Sequence, residues 1–225
     1  MSSDRSIRGA YFEAHYPPDP TTFAGTVMTR VAVALDTRDA LVEAFTPVAA
    51  DMSTYFPGES DLTPAHVAHL VDSVIADHND VVRHPSPDAI RLLDALDGFP
   101  TAGLAISFGA GRDAAEAVQT VMTTVGHSIE LGADIKGYVF ATANDAAELI
   151  LEGQLRLTYG IFAESGIDLG EAAHRVREVL DRQGLPVLAH DDEAQQVLIG
   201  PLLYEVPYHG HRLHEYAEPE PDTDH

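Results

Sequence analysis

The run Gly137-Tyr-Val-Phe-Ala-Thr-Ala-Asn-Asp145-Ala-Ala-Glu-Leu-Ile-Leu-Glu-Gly153-Gln-Leu-Arg-Leu-Thr-Tyr159-Gly-Ile-Phe162 constrains the fold more tightly than any other part of the chain. Tyr138 to Ala141 is a short apolar run suited to a strand, Asp145 to Leu151 reads as a helix, and Gly153 stops it. Leu155, Leu157, Tyr159 and Ile161 then recur every second residue, while Arg156 and Thr158 point the other way, which is the period of a strand. Strand, helix and strand in so short a space commit the chain to an α+β core.

The flanking segments extend the pattern. Leu104, Ile106 and Phe108 alternate as a strand that leaves through Gly109-Ala-Gly111 into a helix of Ala114, Ala117, Val118, Val121 and Val125, closed by Gly126. Asp168-Leu-Gly-Glu171 has the spacing of a capping box, followed by a stripe of Leu169, Ala172, Ala173, Val176, Val179 and Leu180 and a stop at Gly184 and Pro186. Pro186 to Ala189 and Val197 to Leu203 flank the turn His190-Asp-Asp-Glu-Ala194 as a hairpin. Residues 104–203 therefore read β-α-β-α-β-α-β-β, with helices expected on one face of a mixed sheet.

Upstream, Thr63-Pro64 and Ser86-Pro87-Asp88 each place a hydroxyl cap before a proline at the first helical position. The first opens a helix with Val67, Leu70, Val71, Val74 and Ile75 on one face, ending near His78-Asn-Asp80, where an imidazole favours the negative end of the helix dipole. The second is expected to bury Ile90, Leu93 and Leu96 and to end at Gly98. Val27, Thr29, Val31, Val33 and Leu35 look like a period-two strand, with an amphipathic helix as the competing reading. Thr37 caps a helix bearing Leu41, Ala44, Phe45, Val48 and Met52, with Pro47 threatening to bend it. Tyr55-Phe-Pro-Gly-Glu-Ser60 is a turn, and Tyr11-Phe-Glu-Ala-His-Tyr16 a short aromatic segment. The expected fold is α+β: a helical amino-terminal part followed by the β-α-β-α-β-α-β-β unit. It divides into an amino-terminal segment at 1–60, a core at 61–206 and an acidic, histidine-containing tail at 207–225.

Charge narrows the function classes. The chain carries 36 acidic side chains against 13 basic ones, a net charge of -23. Such a surface repels phosphate backbones and anionic headgroups, so neither nucleic acid nor membrane is an expected partner, and a basic protein is. No apolar run approaches the roughly 20 residues needed to cross a bilayer, and the amino end, Met1-Ser-Ser-Asp-Arg, does not open a secretory signal. With no cysteine there is no disulfide framework and no thiolate chemistry, which fits a cytoplasmic protein. Arginine supplies every cation except Lys136, a bias that goes with GC-rich coding or adaptation to high salt.

The helix Asp88-Ala-Ile-Arg-Leu-Leu-Asp-Ala-Leu96, the strand Gly137-Tyr-Val-Phe140 followed by Asp145, Gly153, Leu157-Thr-Tyr-Gly160 and Gly184-Leu-Pro-Val187 resemble a mostly actinobacterial family of small proteins with no assigned function. The resemblance runs from about Leu62 to Leu203 and leaves out the first 60 residues. It implies binding residues at Asn144, Asp145 and Tyr159. Many members of that family carry a histidine where this chain has Ala141, Thr142 and Ala143, and a cysteine-rich patch after the strand at Leu104 to Phe108. Neither is present, so metal or thiol chemistry does not carry over. For Asn144 and Asp145 the competing explanation is that one of them caps the helix that starts there.

Other constellations are weaker. His66, His69 and Asp72 share adjacent helical turns and could hold a divalent cation, but they lie beside the apolar stripe and need further ligands. His209, His211 and His214 could chelate zinc, nickel or copper just before the tail. Gly109-Ala-Gly111-Arg112 could seat a phosphate at a helix amino end, although a tight β-α turn explains it more simply. No Gly-x-Ser-x-Gly elbow, phosphate loop or His-Glu-x-x-His pair is present, so no catalytic residue, no resident metal and no cofactor is assigned. Three classes remain: a protein-binding module of immunity, inhibitory or adaptor type, a small-molecule or metal-dependent enzyme, and a nucleic-acid mimic. The first fits best.

Overall fold

The computed structural model describes residues 7–8, 13–14, 18–130, 134–163 and 165–210, and the chain packs as two compact units, residues 1–84 with 206–225 and residues 85–205. The first unit is helical. A two-residue antiparallel pair, β1 (Ile7–Arg8) with β2 (Glu13–Ala14), precedes α1 (Phe23–Val33), α2 (Arg38–Ala49), α3 (Met52–Tyr55) and α4 (Pro64–Val81).

The helix α1 occupies the segment whose valines alternate like a strand. The reason is burial on nearly every side: Val27, Met28, Thr29, Val31, Ala32 and Val33 are all buried, so no polar face marks a 3.6-residue period. Thr22 caps it by accepting from the Gly25 amide at 3.0 Å, and Ala34 ends it in the left-handed region at φ 58°. Phe23 at its start meets Phe45 and Phe56 edge to face, with centroids 5.6 and 5.7 Å away. In α2, Thr37 caps as expected, accepting from the Ala40 amide at 3.2 Å, and Leu41, Phe45 and Ala49 are buried while Ala44 is exposed. Pro47 stays inside this helix. It deprives only the carbonyl of exposed Glu43 of a donor, and water can serve that group. The turn after α3 is tied down by carboxylates, Glu59 accepting from the Phe23 amide and Asp61 from the Met52 amide, each at 3.0 Å.

Thr63 and Pro64 open α4 as the sequence predicts, with Val67, Leu70, Val71 and Val74 buried. The expectation for His78 is incomplete. Beyond lying in the last turn of the helix, it is a core residue, 2% exposed, whose Nε2 donates to the carbonyl of Val206 at 2.8 Å. Beside it, Asn79 grips both backbone groups of Tyr208, donating to its oxygen and accepting from its amide at 2.7 Å each. Val206 to Tyr208 is thus a buried strap rather than part of a loose tail, and the Tyr208 hydroxyl donates to the Asp36 carbonyl at 2.8 Å.

The second unit contains α5 (Pro87–Gly98), a 3-10 turn (Pro100–Ala102), β3 (Leu104–Phe108), α6 (Ala114–Glu130), β4 (Gly137–Ala141), α7 (Ala143–Glu152), β5 (Leu155–Ile161), α8 (Leu169–Arg182), β6 (Val187–Asp191) and β7 (Gln196–Ile199). Helices and strands alternate as predicted, and the five-stranded sheet is mixed, in the order β3-β4-β5-β7-β6 with only β3 and β4 parallel. The helices do not share one face. Ala117, Val121 and Val125 of α6 pack on Ala105 and Phe140, whereas Leu104, Val139, Leu157, Tyr159, Val197 and Ile199 point to the opposite face and are also buried. The crossovers β3-α6-β4 and β5-α8-β6 start from antiparallel strands and step the same way across the sheet, so right-handed connections put α6 and α8 on opposite faces.

Two helices differ in phase or length. In α5 the buried residues are Ala89, Leu92, Ala95 and Leu96, whereas Ile90 is 47% exposed and Leu93 half-buried. In α6, Gly126 does not end the helix; an internal glycine costs only about 1 kcal/mol against alanine. For α8, Asp168 caps by accepting from the Glu171 amide at 2.8 Å, but the Glu171 carboxylate turns to Arg175 instead of completing the box, and Leu169 is 38% exposed.

Gly160 lies opposite Tyr138 across the β4-β5 ladder, and a Cβ there would meet the Tyr138 ring at 2.4 Å. Gly160→Ala is therefore expected to cost about 1–3 kcal/mol in urea denaturation, and much less in a Tyr138→Ala background, because the three atoms nearest that Cβ all belong to the Tyr138 ring and hydroxyl. A second expectation concerns pH. Burial pushes the His78 imidazole below its ordinary value of 6.5, partly offset by the Val206 carbonyl, so the native state favours the neutral ring and the unfolded chain takes up a proton first. The stability this contributes is fully present above about pH 6.5 and is lost as pH falls below it. Between pH 7.5 and 5.5 the wild type should lose stability more steeply than His78→Gln; parallel slopes would refute the assignment.

Candidate functional site

Thr142 sits just ahead of α7 in extended backbone, and it, not Asn144 or Asp145, is the N-cap. Asp145 is the reciprocal member of a capping box: its Oδ2 accepts from the Thr142 amide at 2.8 Å and from the Thr142 hydroxyl at 2.6 Å, while its own amide donates to that hydroxyl at 3.2 Å. Its other oxygen faces the Arg156 guanidinium at 3.5 Å, which also approaches Glu148 at 3.7 Å. Asp145 is 8% exposed, so a ligand would have to displace these partners. Asn144 is exposed, and its amide reaches the Arg112 carbonyl at 3.4 Å.

Tyr159 lies elsewhere. It is 1% exposed, on the sheet face opposite Arg156, and its hydroxyl reaches across β7 to His190 Nε2 at 3.0 Å. The same nitrogen lies 3.3 Å from Asp192. Burial, together with the charges of Asp192 and Asp191, pushes the Tyr159 hydroxyl above its usual value and keeps it neutral. The three residues grouped by the resemblance are thus divided: Asn144 and Asp145 stand at the start of α7, and Tyr159 ties β5 to the β6-β7 hairpin. Thr142 and His190 complete those two arrangements. Thr142 was legible as a hydroxyl three residues before a carboxylate, whereas only the cross-sheet register could reveal His190.

The remaining constellations are also occupied by the chain itself. Arg38 donates to both oxygens of Asp72, at 2.8 Å each, and these bonds hold the carboxylate below its usual range, so the aspartate of the His66, His69 and Asp72 set is taken. At the β3-α6 turn, Glu116 accepts from the Arg112 amide at 2.9 Å and pairs with its guanidinium, while Asp113 accepts from the Glu116 amide at 3.0 Å. The bonds from the Arg112 guanidinium and amide bring the Glu116 carboxylate down to about 2, and the carboxylate fills the position a phosphate would take. A Cβ on Gly111, at φ 77°, would lie 2.5 Å from the Ala117 amide nitrogen, so the glycine is required by the turn. His209 is exposed, and His211 and His214 lie outside the described residues. Among the described residues no group of three metal-ligating side chains converges, and no helix is long and apolar enough to cross a membrane.

An open cleft of about 690 Å³ lies between Gly103 and the outer face of α8. Its charges are neutralised in place: Arg175 bonds Glu171 at 2.9 Å and the Ala102 carbonyl at 3.1 Å, and Arg182 bonds Glu178 at 3.1 Å. The same holds widely. Arg30 pairs with Asp36, Arg83 with Asp80, Arg91 with Asp88 and Lys136 with Asp134. Exposed Glu43, Asp94, Asp97, Asp181 and Glu193 lie outside all these pairs. At the β6-β7 turn, residues 191–194 are all exposed, bringing Asp191, Asp192 and Glu193 together at the surface.

Asp145→Ala is expected to cost about 1–2 kcal/mol, since it leaves the Thr142 amide without its acceptor and α7 without half its cap. Urea denaturation measures this. A loss below about 0.5 kcal/mol, well under the range for such caps, would return Asp145 to the list of binding residues.

No curated protein and no solved structure matches the chain. One family model does, a domain of unknown function, DUF6891, over residues 19–205. The match takes in α1, α2 and α3, which lie outside the stretch on which the sequence resemblance rests. On that span, covering both the helices of the first unit and the whole sheet of the second, the chain belongs to the DUF6891 family.

Proposed function

We propose that the protein is a cytoplasmic protein-binding module, of immunity, inhibitory or adaptor type, that engages a basic partner. The observation that supports this is the disposition of charge. Among the described residues Arg30, Arg38, Arg83, Arg91, Arg112, Arg156, Arg175, Arg182 and Lys136 are held in ion pairs within the chain, and 36 acidic side chains outnumber the 13 basic ones, so most of the surplus carboxylates behind the net charge of -23 have no counter-charge of their own. An anionic surface most of whose cations are already engaged steers a basic protein toward it and orients it on arrival. Affinity then rests on exposed apolar and aromatic groups, of which Tyr55, 58% exposed, is the largest among the described residues. The residues implied by the family resemblance serve as supports for this surface: Asp145 secures α7 and Tyr159 the β6-β7 hairpin.

The reading is tested by capturing partners from the host and measuring their association with the purified protein against salt. The association rate should fall by about tenfold or more between 50 and 500 mM salt, as expected for electrostatically steered encounter, with a smaller change in dissociation. A partner whose association rate is indifferent to salt would overturn it.

A further inference from the structure

The two edges of the sheet differ. β3 is buried along its length apart from half-buried Ile106, whereas β6 has Leu188 47% exposed, Ala189 and Asp191 exposed, and Val187 and His190 half-buried. Among the described residues the backbone of Val187–Asp191 bonds only to β7, so its outer row of amides and carbonyls has no strand beside it. Edge strands commonly repel a further strand with lysine, arginine or proline. Val187-Leu-Ala-His-Asp191 has none of these. Its single irregularity is the bulge between Val187 and Ala189, after which Ala189, His190 and Asp191 run in unbroken register with Leu198, Val197 and Gln196. Resting on the charge-based reading above, we infer that the free edge of β6 accepts an extended basic segment of the partner protein as a sixth strand.

The occupant follows from what surrounds the edge. Asp191, Asp192 and Glu193 stand exposed at one end, and among the described residues no arginine or lysine pairs with them, the His190 ring lying 3.3 Å from Asp192. A second copy would bring the same three carboxylates and the same net charge of -23, so self-pairing is opposed. A strand with arginine or lysine at the end facing this turn, and an apolar side chain against Leu188, satisfies both features. Main-chain bonds supply affinity and alternate side chains supply selection. The template is preformed, because the Tyr159 hydroxyl holds His190 and with it β6 in place at 3.0 Å, so little ordering is required on binding.

The probe is an acetylated Arg-Val-Arg-Val-Arg-Val peptide, with a second peptide of the same sequence N-methylated at alternate residues on its bonding edge. The first should bind, shift or protect the amides of Leu188 to Asp191 in NMR, and weaken about tenfold with Asp191→Asn, Asp192→Asn and Glu193→Gln combined, an electrostatic loss of ordinary size. The N-methylated peptide should bind at least about tenfold more weakly, since it keeps charge and side chains but loses backbone donors. Equal binding by both peptides, or shifts confined to α2 or α5, would overturn strand addition while leaving the anionic-surface reading intact. Absence of binding by either would overturn strand addition too. The salt dependence of the captured partner then decides the wider reading separately.

Discussion

The contact of the Tyr138 ring with Gly160 is the joint of the sheet-bearing unit. On one side of it β3 and β4 form a parallel β-α-β step, and on the other β5, β7 and β6 form an antiparallel ribbon. Side chains at both 138 and 160 would crowd one another, so the glycine lets the ring lie over the backbone, 5.4 Å from Phe162 and stacked 6.3 Å from Phe140. An aromatic ring laid over a strand glycine restores the packing that the missing side chain forfeits. On the other face the next pair in register is Val139 with Tyr159, both essentially fully buried. Tyr159 is therefore fixed by the same joint, its hydroxyl reaches His190, and the hairpin at the edge inherits its position from the centre of the sheet.

Where a helix or strand has one wetter and one dry face, the sequence discloses it: α4, α8, β5 and β7 carry such contrast, and the helix caps at Thr63, Ser86 and Asp168 follow the expected chemistry. Where the contrast is missing, reading from sequence fails for a physical reason. The valines of α1 are buried all round, so alternation by chance competes with a helical period that has no polar residues to reveal it. In α5 two apolar stripes coexist, Ile90 with Leu93 and Ala89 with Leu92, and only tertiary packing selects the second. The burial of His78 was not legible because the strap that buries it comes from residues 206–208, a distant part of the chain. The candidate site behaved in the same way. Asp145 was legible as a helix-start residue from local spacing, while the partner of Tyr159 depended on the β5-β7-β6 register, which no local pattern encodes.

Surface ion pairs of the kind seen here add little stability, about 0–1 kcal/mol each, so their number does not explain why the fold holds. Their consequence is spatial. Helical spacing supplies ready partners, as in Arg112 with Glu116, Arg175 with Glu171 and Arg182 with Glu178, and these pairs neutralise helix faces. Arg38 goes further and ties α2 to α4 through both oxygens of Asp72. What remains negative is each place where carboxylates are left out of such pairs.

A tight turn between two strands is such a place. Asp191, Asp192 and Glu193 have no residue at i+3 or i+4 on a common face to bring a cation, and the one polar ring close by, His190, is held by Tyr159. The turn is anionic because of its geometry, and it stays so because the hairpin is anchored to the sheet instead of folding back over itself. Concentrated charge then sits at the end of β6, an edge strand whose outer backbone row has no strand beside it among the described residues. Electrostatic attraction and unpaired main-chain groups reinforce one another there: the first brings a cationic chain close, and the second gives an extended chain, though not a helix, a way to stay.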